Sequence, residues 1–157
     1  MGTRNDDLMR PGIAGRVWPT VTIGIPTRNR AGTYLRESLS SAAAQTYAHV
    51  EIIVSDNCST DDTEAVVRAF TDRPVRYFRH NADIGANGNF NFCLQQATGD
   101  YFLLLHDDDR IDEDFVEACM RAADYNADLG IIRTGTRIID ARGAVLREVQ
   151  NGAVGLP

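Results

Sequence analysis

Asp107, Asp108 and Asp109 stand side by side, directly after the apolar run "YFLLL" and His106. Neighbouring carboxylates repel and raise each other's pKa unless a cation or strong donors compensate. Six of the eight residues from Asp107 to Asp114 are acidic, with Arg110 among them. Asp112, Glu113 and Asp114 suit the first turn of a helix, where negative charge complements the dipole. The first three need another reason, and a divalent cation supplies one. Mg²⁺ or Mn²⁺ takes hard oxygen ligands, commonly one or two carboxylates completed by the phosphates of a substrate.

Three other segments carry chemistry-bearing residues. "PTRNR" (26–30) offers a rigid proline, a hydroxyl and two guanidinium groups. It suits either a turn with a helix cap, or a nucleotide contact through Thr27 and Arg28. In "SDNCSTDD" (55–62), Asp56 directly follows "EIIV", where a carboxylate can accept from a base N–H or a ribose hydroxyl. Ser59, Thr60 and Asp61 there read as caps for the next helix. "NADIGANGNFN" (81–91) holds Gly85, Gly88 and four asparagines. Glycine permits close backbone approach, and a helix N-terminus presents free N–H groups to an anion. Asparagine equally favours caps and turns. The chain has neither a GxGxxG fingerprint nor a GxxxxGK[ST] loop.

The elements that must position these residues follow from the apolar pattern. "TVTIGIPT" (20–27) predicts a buried strand, "VEIIVSD" (50–56) a second and "VRYFRH" (75–80) a short third. "YFLLL" (101–105) is apolar throughout, as a central strand covered on both faces should be. Between them lie helical periods. Leu35, Leu39 and Ala42 share one face with Thr33 as cap; Val66, Val67 and Phe70 line the next. Phe90, Leu94 and Ala97 form a third, stopped by Gly99, and Phe115, Cys119 and Ala122 a fourth. "LGIIRTGTRIID" (129–140) and "AVLREVQ" (144–150) read as strands around the "DARG" turn. Alternating strands and helices predict an α/β fold: a Rossmann-like three-layer α/β/α arrangement with a mostly parallel central sheet. In such sheets ligands bind beyond the carboxyl ends of the strands, where all four chemistry-bearing segments fall.

The 157 residues suit one domain over 20–157, preceded by a flexible lead-in over 1–19. A net charge of −6 without a basic stripe excludes a general nucleic-acid binder. It also requires local donors or a metal wherever an anion binds. Cys58, Cys93 and Cys119 lack CxxC spacing, and with three scattered histidines they do not make a zinc site. Free thiols suit a reducing compartment, so the expectation is cytoplasmic. No h-region of a leader and no apolar run of about 18 residues is visible. Peripheral association with the inner face of the membrane stays open.

Taken together, "VTIGIPTRNR", "VEIIVSDNCSTDDT" and "NADIGANGNFNFCLQQATGDYFLLLHDDDR" resemble, in order and spacing, the nucleotide-sugar-binding half of family 2 glycosyltransferases, which have the GT-A fold. The resemblance covers about residues 20–140. It implies transfer of a sugar from a nucleoside diphosphate sugar, with inversion, assisted by Mn²⁺ or Mg²⁺. The acceptor would be a saccharide or a lipid-linked glycan. By position, Pro26, Thr27 and Arg28 would surround the nucleoside, with Arg28 where the family often has an aromatic. Asp56 would address the base, and Gly85 and Asn89 would border the nucleotide sugar. The family's aspartate motif is D-x-D followed by another acid, and His106 holds its first place here. The resemblance therefore makes Asp108 the metal ligand, with Asp107 on the ribose side and Asp109 supporting. His106 is open between ligand, ribose contact and tolerated variant. In the family the general base is a carboxylate beyond the matched region. Asp140 and Glu148 come late enough to be considered, but one suits a turn and the other a strand surface, so neither is nominated. The resemblance thus makes the fold C-terminally truncated.

Two other functions compete. A nucleotide-sugar-binding module without turnover would explain the unassigned base. A nucleotidyltransferase would share a related sheet and a metal, but it usually carries a glycine-rich basic loop after the first strand, which "PTRNRAG" matches poorly.

Overall fold

The computed structural model describes residues 18–71, 73–124 and 130–150. The elements run β1 (Val21–Thr27), α1 (Leu35–Ala43), β2 (Val50–Asp56), α2 (Thr63–Arg68), β3 (Val75–Arg79), α3 (Gly85–Gln96), β4 (Tyr101–Leu104), α4 (Phe115–Ala122), β5 (Thr136–Ile139) and β6 (Val145–Val149). The first four strands form one sheet in the order β3-β2-β1-β4, and every pairing is parallel. β1 and β2 are buried along most of their length because both faces are covered. On one face Ile23, Ile25, Ile52 and Val54 join a core with Leu35 and Leu39 of α1, Val66 and Val67 of α2, and Val116 and Met120 of α4. Each fully buried Leu or Ile contributes roughly 1.5–3 kcal/mol of transfer free energy. The opposite face meets α3, where Ser55 bonds Asn89. Gly24 lies so close to α3 and β4 that a Cβ there would sit 2.9 Å from Cys93 Cβ and 2.7 Å from the Phe102 ring. Helices on both faces of a parallel sheet make the expected α/β/α sandwich.

Several local expectations are corrected. β4 is not central: it lies at the end of the sheet order, and its four residues are half-buried. Its apolar character serves two neighbours instead. Tyr101 and Leu103 pack against the core, while Leu103, Leu104 and Leu105 floor a cavity of about 390 Å³ shared with β5 and β6. Of the strand expected over 129–140, only Thr136–Ile139 forms among the described residues, and it pairs antiparallel with β6 in a separate two-stranded sheet. α3 turns a different stripe inward, burying Asn89 and Cys93 while Leu94 is 55% exposed. α4 buries Val116 and Met120, with Ala123 just beyond it, and exposes Ala122. Thr33 is not the cap of α1: Tyr34 holds that place, and the Thr33 hydroxyl donates back to Arg30 O at 3.2 Å. α3 ends before Gly99, the backbone turning extended at Ala97. Residues 1–17 of the expected lead-in lie outside the described residues. Pro19 is buried, and its carbonyl accepts from the Tyr47 hydroxyl at 2.7 Å.

Candidate functional site

Register brings the site together. Thr27 pairs with Asp56 and Asp56 with Arg79, so three strand ends finish level. β4 leaves the ladder after Gly24↔Leu104. The chain nevertheless keeps the same offset, and Asp107, 80 residues after Thr27, arrives beside it: Thr27 Oγ1 donates to Asp107 Oδ2 at 2.8 Å. Pro26 fits this frame. Gly24 O accepts from Leu105 N–H, so alternate residues of β1 face β4, and the missing N–H of Pro26 points where β4 has already departed.

The acidic run is fastened from behind by α1 and the residues just after it. Ser38, Ser41 and Gln45 form a polar stripe at helical spacing. Ser38 Oγ donates to His106 O at 3.1 Å, Ser41 Oγ accepts from Ile111 N–H at 3.3 Å, and Gln45 Nε2 donates to Asp112 O at 2.7 Å. Gln45 Oε1 also accepts from Val116 N–H at 2.9 Å. The segment carrying the aspartates is therefore held largely by its own backbone, which leaves the Asp108 and Asp109 side chains available. Burial pushes the Asp107 carboxyl up, and the Thr27 hydroxyl and the Arg30 charge oppose that rise. Asp108 is half exposed, and Arg30 reaches towards both carboxylates, 3.8 Å from Asp107 and 4.0 Å from Asp108. Asp109 is exposed and borders the cavity beneath β5. The His106 ring meets Phe90 edge-on, with centroids 5.2 Å apart.

The other two loops lock onto the first. Asp56 is 1% exposed, and its oxygens accept from Ser59 N–H at 2.8 Å and the Tyr77 hydroxyl at 2.6 Å. Burial, then this hydrogen bond, pushes the Tyr77 phenol up. Arg79 Nε lies 3.9 Å from the same carboxylate. Asn29 and Cys58, one in each loop, adopt left-handed backbone at φ 54° and 59°. Asn29 accepts from Thr60 N–H and donates its N–H to Ser59 Oγ, both at 2.8 Å. Ser59, Thr60 and Asp61 thus tie two loops together rather than simply capping α2, although Asp61 also accepts from Thr63. At the third loop Asp83 gathers Gly85 N–H, the Asn57 amide and the Arg28 guanidinium, which together hold its carboxyl low. Gly85 opens α3 at φ +74°, a conformation glycine adopts without penalty.

Asn89 sits below the surface rather than on it. It is 3% exposed, accepts from Ser55 Oγ at 2.5 Å and donates to Ser55 O at 2.9 Å. Since Ser55 spends its hydrogen on Asn89, His80 Nε2 at 3.0 Å must donate to that hydroxyl. Asn89 therefore pins α3 to the strand ends. Asp140 is spent on its turn, accepting from Arg142 and Ala144 N–H, and Glu148 is exposed on β6 opposite Arg137.

Among the nominated residues, Thr27, Asp107 and Asp108 converge, Arg28 and Gly85 meet at Asp83, and Asp56 lies beneath the second loop. Arg30, Asn57, Tyr77, Arg79 and Asp83 were missed. Register arithmetic from Thr27 to Asp107 and the Asp two residues before a helix-opening glycine were the available signals. Among the described residues no three His, Cys, Asp or Glu side chains converge to hold a metal unaided. Asp108, half exposed, and the exposed Asp109 beside it can instead supply carboxylate to a hard cation whose remaining ligands come from phosphate and water.

The profile of a family described as "Glycosyl transferase family 2" matches residues 22–147. An uncharacterized glycosyltransferase of Rickettsia felis is 35% identical over 140 residues, which is 87% of this chain and 23% of that protein. The GalNAc(5)-diNAcBac-PP-undecaprenol beta-1,3-glucosyltransferase of Campylobacter jejuni is 38% identical over 96 residues, covering 59% of this chain and 31% of its own length. The chain thus spans about a quarter to a third of these relatives. Among solved structures, S. aureus TarS superposes with a TM-score of 0.63 at 28% identity, over 67% of this chain and 19% of TarS. The mannosyltransferase PcManGT of Pyrobaculum calidifontis, solved with GDP-Man and Mn²⁺, gives 0.53 at 26% identity, over 60% and 32%.

Proposed function

The chain belongs to glycosyl transferase family 2, and on that premise we propose that it forms the donor-binding part of an enzyme that moves a sugar from a nucleoside diphosphate sugar to an acceptor hydroxyl, with inversion at the anomeric carbon. The observation that carries this is the 2.8 Å bond from Thr27 to Asp107, with Arg30 reaching Asp107 and Asp108 together. It joins the end of β1 to an acidic run that would otherwise be a solvated turn.

Pro26, Thr27 and Arg28 border the nucleoside. Asp56, held by Ser59 and Tyr77, addresses the base through its remaining lone pairs. Asp107 faces the ribose, and the Thr27 hydroxyl fixes its orientation. Asp108 is the metal ligand, with Asp109 supporting it. Gly85 lets the start of α3 approach the sugar, and Asn89 holds that helix in place. A divalent cation, Mn²⁺ or Mg²⁺, supplies neutralisation of the charge that collects on the departing diphosphate. The acceptor oxygen forms its bond to the anomeric carbon as the bond to the diphosphate breaks, and the hydroxyl proton passes to a base outside the residues nominated here. PcManGT, with its GDP-Man and Mn²⁺, supports the nucleotide and the metal. The Campylobacter relative, named for an undecaprenol-linked glycan, supports a lipid-linked acceptor and a place near a membrane face. No described helix is long and apolar enough to cross a membrane.

Calorimetry of UDP, GDP, CDP and dTDP, each with and without Mn²⁺, tests this. One nucleotide should bind in a Mn²⁺-dependent way, and Asp108→Asn should weaken it at least tenfold while the fold persists. A parent chain that binds none of the four, or an Asp108→Asn chain that binds as well as the parent, would overturn it.

A further inference from the structure

The loop after β1 carries two arginines that point to different carboxylates. Arg28 bonds Asp83, whereas Arg30 stands between Asp107 and Asp108. The backbone on either side of Arg30 is pinned. Asn29 exchanges two hydrogen bonds with the loop after β2, and Ala31 N–H donates to Asp61 at 3.0 Å. Only the side chain of Arg30 is therefore free to move. Its approaches of 3.8 and 4.0 Å are too long for hydrogen bonds, so it balances charge without being locked. About 42% of that side chain is exposed.

Building on the function proposed above, we propose that Arg30 is a diphosphate-binding residue that serves as counter-ion to Asp107 and Asp108 while no ligand is bound. A chain of net charge −6 must offer positive charge where a diphosphate lies. A guanidinium fork matches phosphate oxygens in a bidentate way. A cation arriving at Asp108 repels Arg30, and the freed side chain turns to the phosphate oxygens. Cation and arginine therefore oppose each other without a diphosphate and cooperate with one. The two halves of that statement have opposite signs, which a merely structural arginine would not produce.

The test uses Arg30→Gln and Arg30→Lys with two probes. Mn²⁺ alone is followed by the electron paramagnetic resonance of the free ion, and Mg²⁺ with pyrophosphate or UDP is followed by calorimetry. Arg30→Gln should bind Mn²⁺ alone about three- to tenfold more tightly, because a like charge has been removed. It should bind Mg²⁺-pyrophosphate and Mg²⁺-UDP at least about tenfold more weakly, since a charge-assisted pair is lost. Arg30→Lys should fall between the parent and Arg30→Gln on both. Unchanged affinities, or two affinities that fall together, would overturn the proposal. A parent chain that takes up neither pyrophosphate nor UDP would instead refute the function proposed above, and this inference with it.

Discussion

Glu51, at the end of the sheet away from the site, gives the sharpest stability prediction. Its Oε1 accepts from Thr22 Oγ1 at 2.7 Å and from both the N–H and the hydroxyl of Thr98 at 2.9 Å, while Arg76 lies 2.9 Å from Oε2. Burial alone would push this carboxyl up, but the donors outweigh it and hold the value at about 2, against an ordinary 4.5. A carboxyl held low favours the folded chain above its unfolded value and loses that contribution as pH falls towards the folded one. At about 1.4 kcal/mol for each pH unit of displacement, and allowing for partial exposure, Glu51 contributes about 2–3 kcal/mol at neutral pH. That is a large share of the roughly 5–15 kcal/mol typical of a domain. Glu51→Gln should therefore lower the unfolding free energy by about 2–3 kcal/mol at pH 7, and the gap should close between pH 4.5 and 2. Urea unfolding followed by the fluorescence of Trp18, the single tryptophan, reads this directly. A gap that stays constant from pH 7 to pH 3 would refute the electrostatic account of this clamp.

Gln45→Leu should cost about 2–4 kcal/mol by stranding Val116 N–H and the Asp112 and Ser41 carbonyls, and hydrogen exchange should quicken at Val116. Gly24→Ala should cost about 1–3 kcal/mol by overpacking against Phe102 and Cys93, seen as a lower denaturation midpoint with an unchanged slope. Thr27→Val keeps the shape but removes the donor to Asp107, so calorimetry should show nucleoside diphosphate binding weakened about tenfold, with little loss of fold.

The strands were legible because their signal is local. β2 falls on the expected 50–56, and β1 and β3 differ from expectation by one residue at an end. What a helix faces is not local. Phe90, Leu94 and Ala97 form the more apolar stripe of α3, yet the sheet offers Ser55 and the bare backbone of Gly24 there, so Asn89 and Cys93 turn inward. Apolarity measures burial and not sheet order, so it cannot tell β4 at the sheet's end, with β5 and β6 across a cavity from it, from a central strand. The four loops of the site were legible from the rule that ligands bind at strand ends. Individual partners such as Asp83 and Arg30 were not, because loop register is set by left-handed turns at Asn29 and Cys58, where neither residue is a glycine. The polar stripe Ser38, Ser41 and Gln45 had the right spacing in the sequence, but polarity on a helix ordinarily marks the solvent side.

The proposed function requires the acidic run after β4 to grip a cation next to the ends of β1 and β2. Amide NMR spectra of the chain with UDP or GDP, titrated with a small fraction of Mn²⁺, test it most directly, since a paramagnetic ion erases nearby signals first. Signals of His106, Asp107, Asp108 and Asp109 should vanish first, followed by Thr27, Arg28 and Arg30, and only in the presence of nucleotide. First losses at Glu113, Asp114 or Glu148, or losses indifferent to nucleotide, would contradict it.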